Sequence, residues 1–525
     1  MEERLEAILD DFRRVASLPV GDRNRCARRA GWLGEAETGQ QQEFLRALHD
    51  IPAPLEPAQE ILLKTAVGSL VQSRRDAAAL RSWRHEADAA AELQGAIVGL
   101  YRHLGPPSAA RGPLLAWLSI GGSPQELGQL AELLVDDPPV DEADVVQALA
   151  PLFQQQQLAV DALFPRLLDA LEHAPLAAPI LDLANYTRRR QMAPAHPAAS
   201  RSSQLQNMLG GLVGLLGRLG ESAGAAGDSP RDLARRVQQG VALAVSLCDA
   251  LALIGDHGAT AKLFQALDLP HRRIKTEAAA ALARLGEERG REELVKLAAE
   301  PVARLRVLTY ADELGLSDRI EPHHRSPQAR AEAELTVWLA EPTQFGLPPQ
   351  SLELVDHRRQ FWPGFPEPVE CFLFRFTYAV TVDESERTYT GIGISGPLAH
   401  AFTADLADLP PADIYAAYAG WQAEHQEIKE YDVEKLNRSG RTEVARLTRR
   451  LHDAGYEEIE SRLMGNFFGD KVVTAEARQG ELAGIAVVDR QEILFFPARH
   501  PRRPLGVREA YCIYKGRKLL KTFNG

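Results

Sequence analysis

Hydrophobic residues in the first two thirds of the chain recur at intervals of three and four. Two segments that show this spacing are Leu5-Ile8-Leu9-Phe12 and Leu127-Leu130-Leu133-Leu134. The spacing places the apolar side chains on one face of an α-helix. Clusters of Gly and Pro interrupt the pattern, and no alternating strand pattern appears among them. Residues 1–341 are therefore predicted to form a succession of short helices.

Two segments within this region are close copies of each other. Asp249–Gly255 reads DALALIG, and Ala280–Gly286 reads AALARLG 31 residues later. Leu263 and Leu294 have the same separation, and a third, weaker copy ends at Gly315. A fixed period with helical content predicts helix pairs stacked into an α-solenoid. Each glycine should end one helix of a pair, and both leucines should be buried.

The copies also share a local motif. Pro270–Gly286 and Pro301–Gly315 each contain a proline, a basic residue, an Ala-rich or apolar run and Leu-Gly. This motif resembles the short HEAT-like repeats first associated with phycobilin lyases, most clearly over residues 246–320. The whole chain is similar to uncharacterised bacterial HEAT-repeat proteins. The resemblance implies an armadillo-like helical architecture but no activity, because adaptors and some enzymes share this repeat.

The pattern changes after Glu341, where runs rich in aromatic and β-branched residues predict strands. Strands are expected at 352–355, 371–380, 388–394, 471–477, 484–488 and 493–496. Helices are expected at 411–431 and 433–454, and a terminal hairpin at 510–514 and 518–523. Residues 350–525 are thus predicted to be an α+β domain with an antiparallel or mixed sheet, either undivided or split into subdomains 350–431 and 433–525. The predicted fold class is mainly α.

Composition narrows the class of protein. An apolar fraction of 45% and a charged fraction of 25% are typical of globular chains. The four cysteines are scattered without a CxxC pair, which argues against zinc ribbons and disulfide frameworks. The acidic N-terminus lacks the features of a signal peptide, and Val241–Ile254 is too short an apolar run to span a bilayer. We therefore expect a cytoplasmic protein that does not bind membranes.

Charge is unevenly distributed along the chain. The formal net charge is -12, yet residues 498–525 contain five Arg and three Lys against Glu509 alone. These cations could be solvated, could dock on the chain's own acidic groups, or could capture an external polyanion. Arg502, Arg503 and Lys518 are candidate partner-binding residues on the last interpretation. The acidic remainder of the chain disfavours nucleic acid as a partner.

The search for catalytic motifs gives weak matches. Gly391-Ile-Gly-Ile-Ser-Gly396 fits GxGxxG, but Pro397 follows directly and no βαβ unit is predicted. Ser395 lacks the GxSxG elbow, and neither a Walker A sequence nor HExxH is present. A dispersed set of side chains could form a metal or acid-base site if His400 folds across to the others, which are Asp413, Glu424, His425, Glu427 and Asp432. Their helical spacing favours a solvated acidic helix face instead. No catalytic, cofactor-binding or metal-ligating residue is therefore assigned, and no cofactor is expected.

Aromatic residues form two groups with different expected roles. Four alternate along one predicted strand and should lie on one face of a sheet core: Phe372, Phe374, Phe376 and Tyr378. Trp362 and Phe365 fall in a loop rich in Pro and Gly, where exposed aromatic side chains could anchor a partner. Both are therefore candidate partner-binding residues.

The leading functional hypothesis is a protein-protein interaction scaffold, in which the solenoid offers an extended acidic surface to a protein partner. The absence of a strong catalytic motif favours a binding protein over an enzyme. One alternative is a small-molecule enzyme resembling bilin lyases that uses the solenoid groove. A second alternative is nucleic-acid binding through the basic C-terminal tail.

Overall fold

The structure is a computed structural model that describes residues 2–79, 87–106, 108–221, 230–382, 385–499 and 503–525. The chain divides into two compact units, residues 1–294 and 295–525. It is mainly α-helical and ends in an α+β part with two antiparallel sheets. The domain limits predicted from sequence, 1–341 and 350–525, differ from the limits of these units and stay predictions.

Helices fill the part of the chain before the first strand. In the described residues they are α1 (Glu2–Arg14), α2 (Val20–Ala30), α3 (Thr38–Ala47), α4 (Pro57–Ala79), α5 (Ala87–Leu104), α6 (Arg111–Gly121), α7 (Pro124–Asp136), α8 (Glu142–Leu149), α9 (Val160–Leu163), α10 (Ala174–Arg189), α11 (Ser202–Glu221), α12 (Pro230–Ile254), α13 (Thr260–Leu267), α14 (Arg272–Arg284), α15 (Glu288–Leu297), α16 (Pro301–Leu314) and α17 (Pro327–Ala340). Short 3-10 turns connect several of them. The predicted succession of helices is confirmed.

The helices of the first unit contact one another in a regular order. Each even-numbered helix packs on the next even-numbered helix, without interruption from α2 to α14. Odd-numbered helices pack beside this row, as α11 does on α12 and α13 on α14. We call α2, α4, α6, α8, α10, α12 and α14 the even row, and the odd-numbered helices from α1 to α13 the odd row.

The three sequence copies end their helices in the same way. Gly255, Gly286 and Gly315 have φ values of 79°, 92° and 67°, a left-handed conformation that glycine adopts without steric cost. In each case the next amide donates to the carbonyl five residues back, as from Asp256 to Leu251, which is the Schellman arrangement. Leu263 and Leu294 are fully buried. The predicted glycine caps and buried leucines are confirmed.

Helix α12 contains a long apolar segment. Its segment Leu233–Ile254 is long and apolar enough, by length and composition, to cross a membrane, and half of that segment is buried within the protein. Because α12 also packs on α10 and α14, the same composition fits a core helix. Cys248 is fully buried within it.

The second unit contains two antiparallel meanders. The first sheet has the order β1-β2-β3-β4, with β1 (Ser351–Gln360), β2 (Val369–Val382), β3 (Ser385–Ser395) and β4 (His400–Ala401). Helix α18 (Pro411–Gln422) follows. The second sheet has the order β5-β6-β7-β8-β9, with β5 (Ile428–Asp432), β6 (Glu457–Phe467), β7 (Asp470–Gln479), β8 (Leu482–Val488) and β9 (Ile493–Pro497). Helix α19 (Arg438–Asp453) lies between β5 and β6, and α20 (Val507–Asn524) ends the chain.

Each sheet is covered by helices on both faces. Phe372, Phe374, Phe376 and Tyr378 form one core with Leu335 and neighbouring residues of α17. Alternate residues of the same strand, Cys371 and Leu373, enter a second core that contains α18 and α20. The second sheet joins this core on one face and packs on α19 on the other. The predicted placement of the four β2 aromatic residues in a sheet core is confirmed.

The two halves of this unit repeat one another. The order helix, four strands, helix occurs first from α17 to α18 and then from α19 through β6–β9 to α20. Asp413-Ile-Tyr-Ala-Ala-Tyr-Ala-Gly420 in α18 aligns with Glu509-Ala-Tyr-Cys-Ile-Tyr-Lys-Gly516 in α20, 96 residues later. The second tyrosine has a similar role in each half. Tyr418 donates to the carbonyl of Ile392 in β3, and Tyr514 donates to Asp489, which follows β8.

The repeated glycines allow α18 and α20 to cross closely. A Cβ atom on Gly420 would lie 1.9 Å from the carbonyl oxygen of Cys512. A Cβ atom on Gly516 would lie 1.8 Å from the carbonyl oxygen of Ala416. These separations are far below any van der Waals contact, and the obstacle in both cases is backbone. The contact is reciprocal, so both glycines are required for the crossing.

The predicted C-terminal hairpin is wrong, because the segment forms α20 instead. Apolar side chains at 510, 511, 513 and 514 are buried in the core that α20 shares with α18 and the second sheet, and their spacing is that of a helix and not of a strand. The expected turn at Lys515-Gly516 lies in mid-helix. Gly516 is needed there for the crossing with α18, and not for a turn.

The other predicted elements agree with the structure except for the two-residue strand β4, which was not predicted, and for the region around the second sheet. All six predicted strands are present with longer bounds. The helix expected at 411–431 ends at Gln422, and β5 follows, since Ile428–Asp432 pairs with β6. The helix expected at 433–454 begins later, at Arg438. Strand β6 was missed because it begins with charged residues and is interrupted by two register shifts.

Replacing Leu263 or Leu294 with Asp tests the repeat register. Both side chains are fully buried, so an unpaired carboxylate there should lower the free energy of unfolding by more than about 4 kcal/mol. Thermal unfolding followed by circular dichroism measures the effect. Unchanged unfolding of both variants would contradict the register.

Replacing Gly516 with Ala tests the crossing of α18 and α20. The added methyl group meets backbone, so the second unit should lose about 1–3 kcal/mol of stability. Gly211→Ala is the matched control, since Gly211 is an exposed glycine of α11 with open space around its Cβ position. It should leave stability unchanged or raise it, because alanine favours helix. Equal effects of the two substitutions would exclude a steric role for Gly516.

Candidate functional site

A cavity of about 240 Å³ lies within the second unit, beside the start of α18 and the end of β9. Its apolar lining consists of Leu409, Pro410, Phe495, Phe496, Pro497 and Leu505. Its charged lining consists of three carboxylates and three guanidinium groups: Asp405, Asp408, Asp413, Arg499, Arg503 and Arg517. Apolar side chains together with a few polar groups are typical of small-ligand sites.

Two of the three guanidinium groups are held by neighbouring groups. Arg517 donates two hydrogen bonds to Asp413, at 2.7 and 2.8 Å. Arg503 donates to the carbonyl of Thr390 at 3.0 Å and lies 4.0 Å above the ring of Tyr389. Its distance to the carboxylate of Asp405 is 3.9 Å. Both side chains are therefore fixed before any ligand arrives.

The third guanidinium belongs to Arg499, whose side chain is exposed. Arg499 donates to the backbone carbonyl of Asp408 at 3.3 Å, and the side chain of Asp408 is exposed. The described lining residues include no histidine, cysteine, lysine or hydroxyl group. The three carboxylates and three guanidinium groups can make ion pairs and charge-assisted hydrogen bonds with a polar ligand.

The predicted aromatic anchors behave differently from each other. Trp362 is only 3% exposed, because its indole packs on α18 and donates to the side chain of Gln422 at 2.6 Å. It is part of the core and is not an exposed anchor. Phe365 is 38% exposed, as is Phe361 in the same loop. Of the predicted pair, Phe365 alone is accessible to a partner.

The basic tail folds onto carboxylates of its own unit. Lys518 contacts Glu492 at 2.8 Å and Asp489 at 3.4 Å, and Lys515 contacts Glu430 at 2.9 Å. Arg503 lines the cavity described above. Arg502 lies outside the described residues. These contacts favour the intramolecular interpretation of the tail charge over capture of an external polyanion.

The GxGxxG segment has a packing role in the described structure. Gly391 and Gly393 lie within β3, in an antiparallel meander and not in a βαβ unit. A Cβ atom on Gly391 would be 2.4 Å from the ring of Phe376, and one on Gly393 would be 3.0 Å from Leu335 of α17. Ser395 is fully buried and donates to Glu334 at 2.9 Å. These contacts support the close-packed strand interpretation.

The dispersed set of carboxylates and imidazoles does not converge in the structure. Asp413 is engaged by Arg517, and Asp432 by Lys435 at 2.7 Å. The ring of His400 stacks on Trp421 with centroids 4.2 Å apart and lies 5.1 Å from Trp338. Burial lowers the pKa of His400 to about 4. His400 therefore belongs to an aromatic cluster and remains neutral at physiological pH.

The four thiols are buried and have raised pKa values. Burial raises the pKa of Cys371 to about 12 and that of Cys512 to about 11. Burial also raises the pKa of Cys26 and of Cys248. A thiol that stays protonated is a poor nucleophile. These cysteines therefore behave as small apolar residues, in agreement with the sequence interpretation of Cys248.

The first unit shows a separation of charge that the sequence alone did not reveal. Helices of the even row contain seventeen Lys and Arg against nine Asp and Glu. Helices of the odd row contain seven Lys and Arg against thirteen Asp and Glu. The separation becomes visible only when helix bounds are known and alternate helices are counted together. It gives the even row a net positive charge within an acidic protein.

Some of these charged side chains form ion pairs between the two rows. Arg29 of α2 pairs with Asp11 of α1 at 3.3 Å. Arg74 of α4 pairs with Glu126 of α7, and both side chains are buried. Each pair has its cation in the even row and its carboxylate in the odd row. The remaining even-row cations include exposed side chains such as Arg28, Lys64 and Arg75, which are available to a partner.

Function must be inferred from these residues and contacts. No protein-family model matches the sequence, and searches of curated proteins and of solved structures found no match.

Proposed function

We propose that this chain is a protein-interaction scaffold whose first unit is an α-solenoid of HEAT-like repeats. The observation that carries the proposal is the unbroken series of contacts along the even row, from α2 to α14. In a solenoid each helix pair buries its apolar face on the next pair, so helices two apart in sequence become neighbours. The 31-residue repeat with its matched glycine caps supports the same architecture.

A row of stacked helices offers a long surface, and the exposed residues suggest the chemistry of a partner. The even row is basic, not acidic as the overall charge implied. It also carries exposed apolar side chains, since Val20, Ile61 and Val146 are 72%, 67% and 51% exposed on α2, α4 and α8. Positive charge interspersed with apolar side chains fits an acidic protein surface.

Nucleic acid remains a less favoured partner. The cations of the C-terminal tail that motivated this alternative contact carboxylates of their own unit. Exposed valine and isoleucine side chains contribute little to phosphate recognition, which depends on Lys and Arg. The enzyme alternative, with a bilin-lyase-like activity in the solenoid groove, stays a prediction from the resemblance. The cavity in the second unit separately supports binding of a small ligand.

Charge reversal on the even row tests the scaffold proposal. The triple variant Arg28→Glu, Lys64→Glu and Arg75→Glu changes three exposed residues of α2 and α4. Full-length chain is used as bait in extracts of the native cell, and bound proteins and nucleic acids are quantified. A protein partner captured by the unmodified chain should be recovered at least about tenfold less with the triple variant, a loss typical of disrupted charge complementarity.

The odd row supplies a matched control. Arg13→Glu, Arg46→Glu and Arg102→Glu place the same charge change on exposed residues of α1, α3 and α5. Recovery of the partner should be unaffected by this control. Equal recovery with both variants would contradict the even-row surface, and loss of bound nucleic acid in place of protein would make nucleic acid the partner of the even row.

A further inference from the structure

The connection between α16 and α17 contains a short turn rich in potential metal ligands. Its sequence is Glu321-Pro-His-His-Arg-Ser326, and Pro322–Arg325 forms a 3-10 helix. Glu321 and His323 are exposed, and His324 is partly buried. All three lie within the second unit, far along the chain from the cavity residues.

The three side chains converge. One ligand atom from each residue can be chosen so that all three lie within 4.8 Å of one another. Nδ1 of His323 is 3.2 Å from a carboxylate oxygen of Glu321, and the two imidazole rings have centroids 3.8 Å apart. Ligand atoms around a tetrahedral zinc ion are about 3.3 Å apart, given bonds of about 2.0–2.1 Å. Small rotamer changes in the exposed side chains of Glu321 and His323 would bring the ligand atoms from within 4.8 Å to this separation.

The backbone of the turn is fixed by its own hydrogen bonds. The amide of His324 donates to the carbonyl of Glu321 at 3.0 Å, and the Ser326 hydroxyl donates to the carbonyl of His323 at 2.8 Å. The same hydroxyl accepts from the amide of Ala329 at 3.2 Å and caps α17. Pro322 limits the backbone further. The ligand-bearing residues are thus held between two helices before a metal arrives.

Neighbouring charges do not prevent a cation from binding. The guanidinium of Arg304 in α16 is buried and donates to Glu332 at 2.5 Å and to the carbonyls of Ala298 and Ala329, each at 2.8 Å. Its charge is therefore largely compensated. Arg325 lies 3.6 Å from Asp318. Glu321 would contribute a further negative charge directly to a bound ion.

We propose that Glu321, His323 and His324 form a binding site for one divalent transition-metal ion of the zinc class. Two imidazole nitrogens and one carboxylate oxygen are ligands that Zn²⁺, Co²⁺ and Ni²⁺ accept, whereas Mg²⁺ and Ca²⁺ prefer oxygen ligands alone. Three protein ligands leave at least one coordination position to water or to an external ligand. Among the described residues, no other group of three such side chains has this geometry.

Zinc binding to the untagged full-length chain tests the proposal. Chelator-treated protein is titrated with Zn²⁺ by isothermal calorimetry, and Mg²⁺ is titrated separately. The unmodified chain should bind one Zn²⁺ at this site and no Mg²⁺. The double variant His323→Ala and His324→Ala should weaken zinc binding by about tenfold or more, since it retains one ligand of three.

His425→Ala is the matched control, because His425 is exposed and lies in a different part of the second unit. It should bind zinc as the unmodified chain does. Circular dichroism should be the same for all variants, because the substituted side chains are at the surface or partly exposed. An affinity loss below about tenfold in the double variant, or the same loss in His425→Ala, would overturn the proposal. The proposal would also be overturned if the unmodified chain bound no more zinc than the double variant does.

Discussion

The architecture of the first unit depends on the close contact between each even-numbered helix and the next. Such contact requires small side chains at the interface, and α14 provides them as an unbroken run of buried alanines from Ala278 to Ala281. It also requires that one helix end before the next begins. Gly255 and Gly286, both in the left-handed conformation, end α12 and α14. In the proposed solenoid each helix pair is stabilised by its neighbours, so stability should accumulate locally along the row.

The second unit also depends on close contact between helices, but glycine and not alanine allows it there. Two meander sheets place α18 and α20 in one core, and the helices approach so closely that only glycine fits at 420 and 516. Each of these helices contributes the motif Tyr-x-x-Tyr-x-Gly to the crossing. The basic residues of α20 then face carboxylates of the same unit, as Lys515 faces Glu430. Cations of the C-terminal tail therefore pair with carboxylates inside the second unit, whereas the even row of the first unit has exposed cations.

Much of the fold could be predicted because local chemistry and tertiary structure agree. Glycine ends helices at 255 and 286, and Phe372 and Phe374 alternate as a two-faced strand should. Prediction failed where tertiary contact overrides the local pattern. Gly516 was predicted to lie in a turn but lies where α18 and α20 cross. Strand β6 forms although its first residues are charged. The cavity depends on residues brought together by folding, and the charged rows become visible only by counting across helices, so motif spacing could not reveal them. The histidine turn is contiguous in sequence, but Glu321-Pro-His-His does not have the spacing of a common metal-binding motif such as HExxH.

The central claim is that the first unit is stabilised by neighbouring helices and not by one global core. Native-state hydrogen exchange of the full-length chain carrying Leu63→Ala tests this most directly. Leu63 is fully buried in α4, so the substitution should cost about 2–5 kcal/mol locally. A solenoid predicts faster amide exchange in α2, α4 and α6, with exchange in α12 and α14 unchanged. Uniformly faster exchange from α2 to α14 would contradict the account.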